Sequence, residues 1–420
     1  MLGNFERERY KRDAASDLAA DAQELAEADE PSPFATPTRR SFFGVAGQAV
    51  GALGVMGLGA KSFELIHRAV PTVAATPRAT PSVVRPPHFA TLSPADAREW
   101  QIFKRRFLLA DGRIVDTGNN SESHTEGQGW GMLFAVDFDD RDTFTRIYDW
   151  TERTLSRPSD SLHSWRYQPG SPNPVSDPNN ATDGDIFIAW ALWRAAYRWG
   201  EPRYAEAAHR MADDILGLLV RRAGPRTVLL PGANGFTSSD SIEVNPSYYA
   251  FEALEELSQA SPSPVWDALE RDGVAMLSEG RFGRWRLPPD WLSVSRRDGS
   301  LQPAPGRPVR FSYDAIRVPL YMSWAHVLPN DLDRSFASYA DSGTMPAWVD
   351  LRSGATAPYA ASPGMRAIAQ VSTDHGDAPL PQGFPSLHTA ATDYYSGALT
   401  LLSRVAWREM HTPPTSQVMS

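Results

Sequence analysis

Acids in three separated stretches stand where a carboxyl group can do chemistry. Glu126 lies in "HTEGQGWGML" (124–133), Asp183 and Asp185 in "PNNATDGDIFIAW" (178–190), and Asp314 in "RFSYDAIRVPLY" (310–321). Each sits beside aromatic or small residues and just ahead of an apolar run, so each is expected at the mouth of a helix. A fourth polar stretch, "EVNPSYYAF" (243–251), brings Asn245 and the paired Tyr248 and Tyr249. Plainer readings stand beside these. The helix dipole favours any carboxylate in a first turn. Asp183 suits an N-cap, and Asp314 with Arg317 at i and i+3 suits a surface ion pair. Taken together, the acids suit general acid/base work. In glycoside hydrolysis one carboxyl group protonates the leaving oxygen, while another across the sugar ring activates water or attacks directly.

Competing chemistries find little support. The 420 residues include no cysteine, which excludes disulfides, thiolate zinc sites and a cysteine nucleophile. The nine histidines are scattered, and there is no H-E-x-x-H, no Gly-rich phosphate loop and no nucleophile elbow. A formal net charge of −9 argues against a nucleic-acid partner held through phosphates. The 13 Trp, 13 Tyr and 18 Phe are core residues by default, but this many Trp also suits a cleft that stacks flat ligand faces.

The elements that must position these acids read as helices. From Pro94 onward the apolar spacing is helical nearly throughout, with Ser93 as a cap for the first helix. "RDTFTRIYDWTERTL", "PRYAEAAHRMADDILGLLVRR", "PSYYAFEALEEL", "PVWDALERDGVAMLSEG", "YDAIRVPLYMSWAHVL" and "DYYSGALTLLSRVAWREM" continue the series. "DIFIAWALW" has almost no polar side, so it belongs in an interior wrapped by other helices. An inner ring of helices inside an outer ring gives that pattern. Two loops, roughly 157–181 and 283–311, are long enough to expect a functional role. Pro319 points to a kink or a late helix start.

Thr125 and Gln128 have capping-box spacing, which places a helix start at Glu126. Gly127, Gly129 and Gly131 then cost about 1 kcal/mol each. They are expected to leave room for something bulky approaching that helix start.

Ahead of the folded part, residues 1–37 are polar, and Arg39 and Arg40 precede a Gly/Ala-rich run ending near Ala60. This reads as a twin-arginine export signal, with a membrane anchor as the alternative. Cleavage is expected after the stretch 57–60 or 73–75. Residues 1–75 are taken as signal and flexible segment, 76–92 as a Pro-rich linker, 93–412 as the catalytic domain and 413–420 as a disordered tail. The expected location is periplasmic or secreted, with no stable membrane insertion after processing.

These stretches together resemble glycoside hydrolase family 8, and within it the endoglucanases associated with bacterial cellulose synthesis. "TEGQGWGM" is similar to the family's "SEGQSYGM". "ATDGDIFIAWALWRAAYRW" fits the signature A-[ST]-D-[AG]-D with an apolar helix and terminal Trp, and "NPSY" and "SYDAIRVP" match two further segments in order. The resemblance covers roughly 94–410. It implies an all-α (α/α)6 barrel, six inner and six outer helices, with a substrate groove across the helix N-terminal ends. It also implies inversion at the anomeric carbon without metal or organic cofactor.

Carried over, Glu126 matches the proton donor and Asp314 the base. Asp183 matches an aspartate that has also been labelled the nucleophile, and that in an inverting scheme holds the sugar in a distorted form. Tyr313 and Arg317 would orient Asp314 or the sugar, Trp165 would be a stacking platform, and Asn245 and Tyr248 would line the groove. Trp130 stands where many relatives carry Tyr and would contact the substrate as an aromatic. A proton donor at a helix N-terminus has to be desolvated or lie close to another carboxylate, here Asp183. The implied substrate is a β-1,4-glucan, with xylan, mixed-linkage glucan or chitosan as alternatives, and the cellulose synthesis and secretion machinery is the implied partner. From other classes, a catalytically silent polysaccharide-binding envelope protein and a membrane-anchored interaction protein remain open.

Overall fold

The computed structural model describes residues 87–374, 376, 379–390 and 393–412. The paired arginines, the apolar run, both expected cleavage points and the tail at 413–420 lie outside the described residues. Among the described residues, twelve α-helices follow in sequence. They are α1 (Pro94–Phe107), α2 (Thr125–Asp137), α3 (Arg141–Leu155), α4 (Thr182–Trp199), α5 (Pro202–Asp214) and α6 (Phe251–Ala260). Then come α7 (Pro264–Glu279), α8 (Arg317–Trp324), α9 (Asn330–Ala340), α10 (Pro363–Thr373), α11 (Leu387–Ala390) and α12 (Tyr394–Met410).

The even-numbered helices close a ring. α2 packs on α4, α4 on α6, α6 on α8, α8 on α10, α10 on α12, and α12 returns to α2. Odd-numbered helices lie outside: α3 against α2, α5 against α4 and α6, α7 against α6, α9 against α8 and α10, and α1 and α11 against α12. This is the (α/α)6 arrangement. It explains the two kinds of helix in the sequence. Every residue of α2 is buried, and so is α4 from Thr182 to Ala195, because an inner helix has neighbours on all sides. In α3 the buried residues Phe144, Ile147, Trp150 and Thr151 recur at helical spacing and leave a charged outer face. Ser93 caps α1 as expected, exchanging hydrogen bonds with Asp96 in a capping box.

Three expectations need correction. The helical pattern at 202–222 stops at Asp214; a π-turn over Ile215–Leu219 follows, and then a hairpin of β3 (Val220–Ala223) and β4 (Arg226–Leu229) around Gly224 (φ +58°). The long loop 283–311 contains β6 (Leu292–Ser295) and β7 (Leu301–Pro303), which join β5 (Ser241–Val244) in an antiparallel sheet, with Val244 opposite Leu292. The linker does not extend to 92. His88 Nε2 lies 3.2 Å from the Glu409 carbonyl, Thr91 donates to Thr412, and the Phe89 ring carries the Arg198 guanidinium at 4.0 Å. Residues 87–91 therefore pack on the ends of α4 and α12. No helix among the described residues is long and apolar enough to cross a membrane.

Candidate active site

Helix α2 starts at Thr125 with Glu126 in its first turn, but a different device fixes it. The N-cap is His124, whose Nδ1 accepts from Gly127 N at 3.0 Å and whose Nε2 faces Asp116 at 3.5 Å. Gln128 is not part of a capping box. Its Oε1 accepts from Ile114 N at 2.7 Å and its Nε2 donates to Thr151 at 3.0 Å, tying the helix to the segment before it and to α3. Two-residue strands β1 (Ser123–His124) and β2 (Arg166–Tyr167) pair across this start, and Thr125 N donates to the Trp165 carbonyl at 3.0 Å. The loop 157–181 is thereby fastened beside Glu126.

The glycines serve helix packing rather than clearance at the helix start. A Cβ on Gly129 would lie 2.7 Å from Phe187 Cβ and 3.0 Å from Ile188 N. One on Gly127 would meet the Tyr394 hydroxyl at 2.8 Å, and one on Gly131 would meet Ile114 at 3.0 Å. From the other side, a Cβ on Gly184 would lie 2.1 Å from Thr125 Oγ1 and 2.6 Å from Glu126 N. Glycine at 129 and 184 lets α2 and α4 touch backbone to backbone. That contact seats the start of α4, which carries Asp183, against the backbone of Glu126.

Arg317 joins the acids. It is 1% exposed; its Nη1 donates to Glu126 Oε1 at 2.6 Å, and its Nη2 donates to Asp314 Oδ1 at 3.1 Å and Ser247 Oγ at 2.8 Å. The Asp314–Arg317 pair is thus part of an enclosed network rather than a surface ion pair. Asn245 Nδ2 donates to Asp314 Oδ2 at 3.1 Å, while its Oδ1 accepts from Ser247 N and Oγ at 3.0 and 2.7 Å. Asp314, Asn245, Ser247 and Arg317 close a ring of hydrogen bonds. Burial alone would lower the Arg317 pKa; the charges of Glu126, Tyr321 and Asp314 outweigh it and hold the guanidinium well above the usual arginine range. Glu126 is 4% exposed as a residue, whereas the Asp314 side chain is 22% exposed. Helix α8 begins at Arg317, so Pro319 sits in its first turn, where no helical N–H is needed. This is the late start that Pro319 allowed.

The signature aspartates divide their work. Asp183 Oδ1 accepts from Gly184 N at 2.8 Å rather than capping α4, whose N-cap is Ala181. The charges of Arg317, Glu126 and Asp183 all reach the buried Tyr321 hydroxyl, whose pKa burial raises. Asp185 turns instead toward the loop. It accepts from His163 N and Asn180 Nδ2 at 2.9 Å each, and His163 also faces Glu152 at 3.0 Å. Burial works against a charged His163, but the bonds to Asp185 and Glu152 lift its pKa to about 9.

The aromatic residues are placed differently from expectation. Trp130 is fully buried, edge-on to Phe187 and under the Arg317 guanidinium at 5.7 Å, so it supports the network from below. The Trp165 ring is 2% exposed. Its Nε1 donates to Asp177 at 2.8 Å, and Arg166 covers one face at 4.4 Å, so it is no open platform. Tyr313 points its hydroxyl at Tyr359, 3.0 Å away, while its carbonyl accepts from Tyr395 at 2.5 Å and its ring packs edge-on to the Tyr395 ring at 5.9 Å. Tyr248 is buried in a short 3-10 turn, Pro246–Tyr248. Sequence reasoning missed Ser247, His124, Tyr321, Tyr395 and Asp290. Ser247, inside "NPSY", was within reach of motif reading; the others are joined to the site only by the fold.

A ring of inner helices whose N-terminal ends gather carboxylates around one arginine defines a helical-barrel enzyme site built on acids. The chain belongs to glycosyl hydrolases family 8, whose model matches residues 86–409. A probable endoglucanase of Novacetimonas hansenii is 46% identical over 325 residues, 76% of this chain and 94% of that protein. The endo-β-1,4-glucanase CMCax of Acetobacter xylinum is similar in structure, with TM-score 0.71 and 46% identity over 74% of this chain and 97% of that one. An endoglucanase from Komagataeibacter sucrofermentans gives TM-score 0.70 at 44% identity, with the same coverage.

Proposed function

We propose that this chain is an endo-β-1,4-glucanase that cleaves glucan chains with inversion. The observation that carries the reading is the Arg317 fork, which holds Glu126 at one terminal nitrogen and Asp314 at the other. Glu126, the more enclosed acid, protonates the glycosidic oxygen. Asp314, the more exposed one, takes a proton from the attacking water. Inversion needs a gap of about 6.5–9.5 Å between the two for that water, and a guanidinium with a hydrogen bond on each side keeps them apart. Asp183, at the start of α4, grips a hydroxyl of the distorted sugar at the cleavage point. In the free protein Glu126 is paired with Arg317; to act as acid it has to carry a proton, so glucan binding must loosen that pair. The two structural relatives named above, both endoglucanases, support cellulose over xylan or chitosan as substrate.

Two experiments test this. Cello-oligosaccharides should release the α-anomer first, seen by NMR; a β-anomer first product overturns inversion. Glu126→Gln should lower kcat by roughly 10³-fold while leaving oligosaccharide affinity within a few-fold, and near-normal turnover would remove Glu126 from its role. The wild-type pH profile is expected to be bell-shaped. We also propose export through the twin-arginine signal to the periplasm or beyond, where the enzyme acts on glucan leaving a cellulose synthase. A mature N-terminus still at residue 1 in exported protein, or unchanged cellulose output in a deletion strain, would contradict that part.

A further inference from the structure

A further carboxylate, Asp290, holds the turn that carries Asp314. Helix α8 has no side-chain cap of its own. Instead Asp290 Oδ1 accepts from Ser312 N at 3.0 Å and from Ala315 N at 2.8 Å, and Oδ2 accepts from the Ser312 hydroxyl. The backbone is fixed as well, since Asp290 N donates to the Arg310 carbonyl at 2.8 Å. Asp314 therefore lies between two N–H groups pinned to the same oxygen. The fold gives this carboxylate its place. Asp290 lies two residues before β6, and Asn245 directly follows β5, with Val244 opposite Leu292. One sheet thus presents Asn245 to the Asp314 carboxylate and Asp290 to the N–H groups of Ser312 and Ala315 on either side of it.

We propose that Asp290 is a positioning residue for Asp314, clamping the 312–315 turn so that the carboxylate keeps its aim at the attacking water. This rests on the reading of Asp314 as the base. The titratable groups facing Asp290 are Asp314, Tyr313, Tyr339 and Tyr395. Enclosure, then the Asp314 charge, push the Asp290 carboxyl up to about 7 against the bonds from Ser312 and Ala315. The clamp survives protonation: a proton on Oδ2 lets the Ser312 hydroxyl turn and accept, while Oδ1 keeps both N–H groups.

The test compares Asp290→Ala, Asp290→Asn, Ser312→Ala and Asp314→Asn on cello-oligosaccharides, with binding-competent protein counted by calorimetric titration. Asp290→Ala should lower kcat per binding site by roughly 30- to 100-fold with KM within about threefold, because a misaimed group loses rate rather than affinity. Asparagine can accept both N–H bonds and donate to Ser312, so Asp290→Asn should recover most of that loss. Ser312→Ala, which removes one bond of the clamp, should lower kcat by about threefold. An Asp290→Ala enzyme with wild-type kcat overturns the proposal. So does an Asp290→Asn enzyme whose kcat falls about 30-fold or more below wild type, which would mean that the charge itself is required; this arm is read against wild type, so it stands if the alanine variant does not fold. Asp314→Asn is expected to be inactive. If it turns over normally, the base assignment falls and Asp290's role with it; if it is inactive while Asp290→Ala is normal, only Asp290's role falls.

Discussion

The same inner helices carry a buried arginine at each end, and the two ends behave differently. At the N-terminal end, α2, α4 and α8 bring Glu126, Asp183 and Arg317 together with Asp314. Toward the C-terminal end, the same three helices supply Asp137, Arg194 and Trp324, joined by Glu256 of α6 and Glu409 of α12. Arg194 donates to Glu409 at 2.5 Å, Glu256 at 2.8 Å and Asp137 at 3.2 Å, and Trp324 Nε1 donates to Glu409 at 2.9 Å. Arg194 is 0% exposed, and Phe89 lies over it at 5.6 Å, so residues 87–90 help to close that end. Sealing has a cost. Burial pushes the Asp137 carboxyl up to about 8, and burial with the charges of Glu256 and Glu409 does the same to Glu252. At the other end Asp314 keeps a face open to solvent. One arginine among carboxylates is a structural rivet when closed over, and a site when one acid can reach water.

Breaking each arginine separates the two roles most sharply. Arg317→Met should lower kcat by roughly 10³-fold, since the acid and the base lose their common anchor. Arg194→Met should destabilise the fold by about 3–5 kcal/mol by stranding buried carboxylates, yet leave kcat per folded molecule within a few-fold. Calorimetry and active-site-normalised kinetics measure both, and a catalytic loss in Arg194→Met as large as in Arg317→Met would erase the distinction. A smaller effect is expected from Gly184→Ala. Its Cβ would press on Thr125 and Glu126 N, costing about 1–3 kcal/mol and displacing Glu126, so kcat should fall with stability. If kcat per folded molecule is unchanged, the α2–α4 contact does not aim Glu126.

The last effect is a pH slope. Glu252 has a folded pKa of about 8 against an ordinary 4.5. The folded state therefore binds the extra proton between those values, and this group's contribution to stability falls as pH rises through that window. Glu252→Gln removes the slope. Its stability gain over wild type should be near zero at pH 4, widen by at most about 1.4 kcal/mol per pH unit up to pH 8, and then level off. A gain independent of pH would mean that Glu252 is not held neutral by its neighbours.

Much of this was legible in the chain. The helical spacing, the all-round apolar "DIFIAWALW" and the acids before apolar runs depend on local pattern, which a sequence prints directly. The roles of particular side chains were harder to read. Gln128 looked like a cap and became a cross-brace, because Ile114 and Thr151 are brought to it by other segments. Trp165 looked like a platform, but Arg166 and Asp177 occupy it. The β5–β6–β7 sheet was hidden in a long loop because its strands are short and their pairing is non-local.

By itself the sequence determined the helices, the family and the acids just ahead of apolar runs, since periodicity and motif both act over a few residues. The tertiary structure decided what the glycines are for and which groups surround each acid. Gly129 and Gly184 spare each other's helix a clash, and Arg317, Ser247, Asn245 and Asp290 converge on Asp314. Those relations are set by close packing between segments far apart in the chain, where no local pattern records the partner.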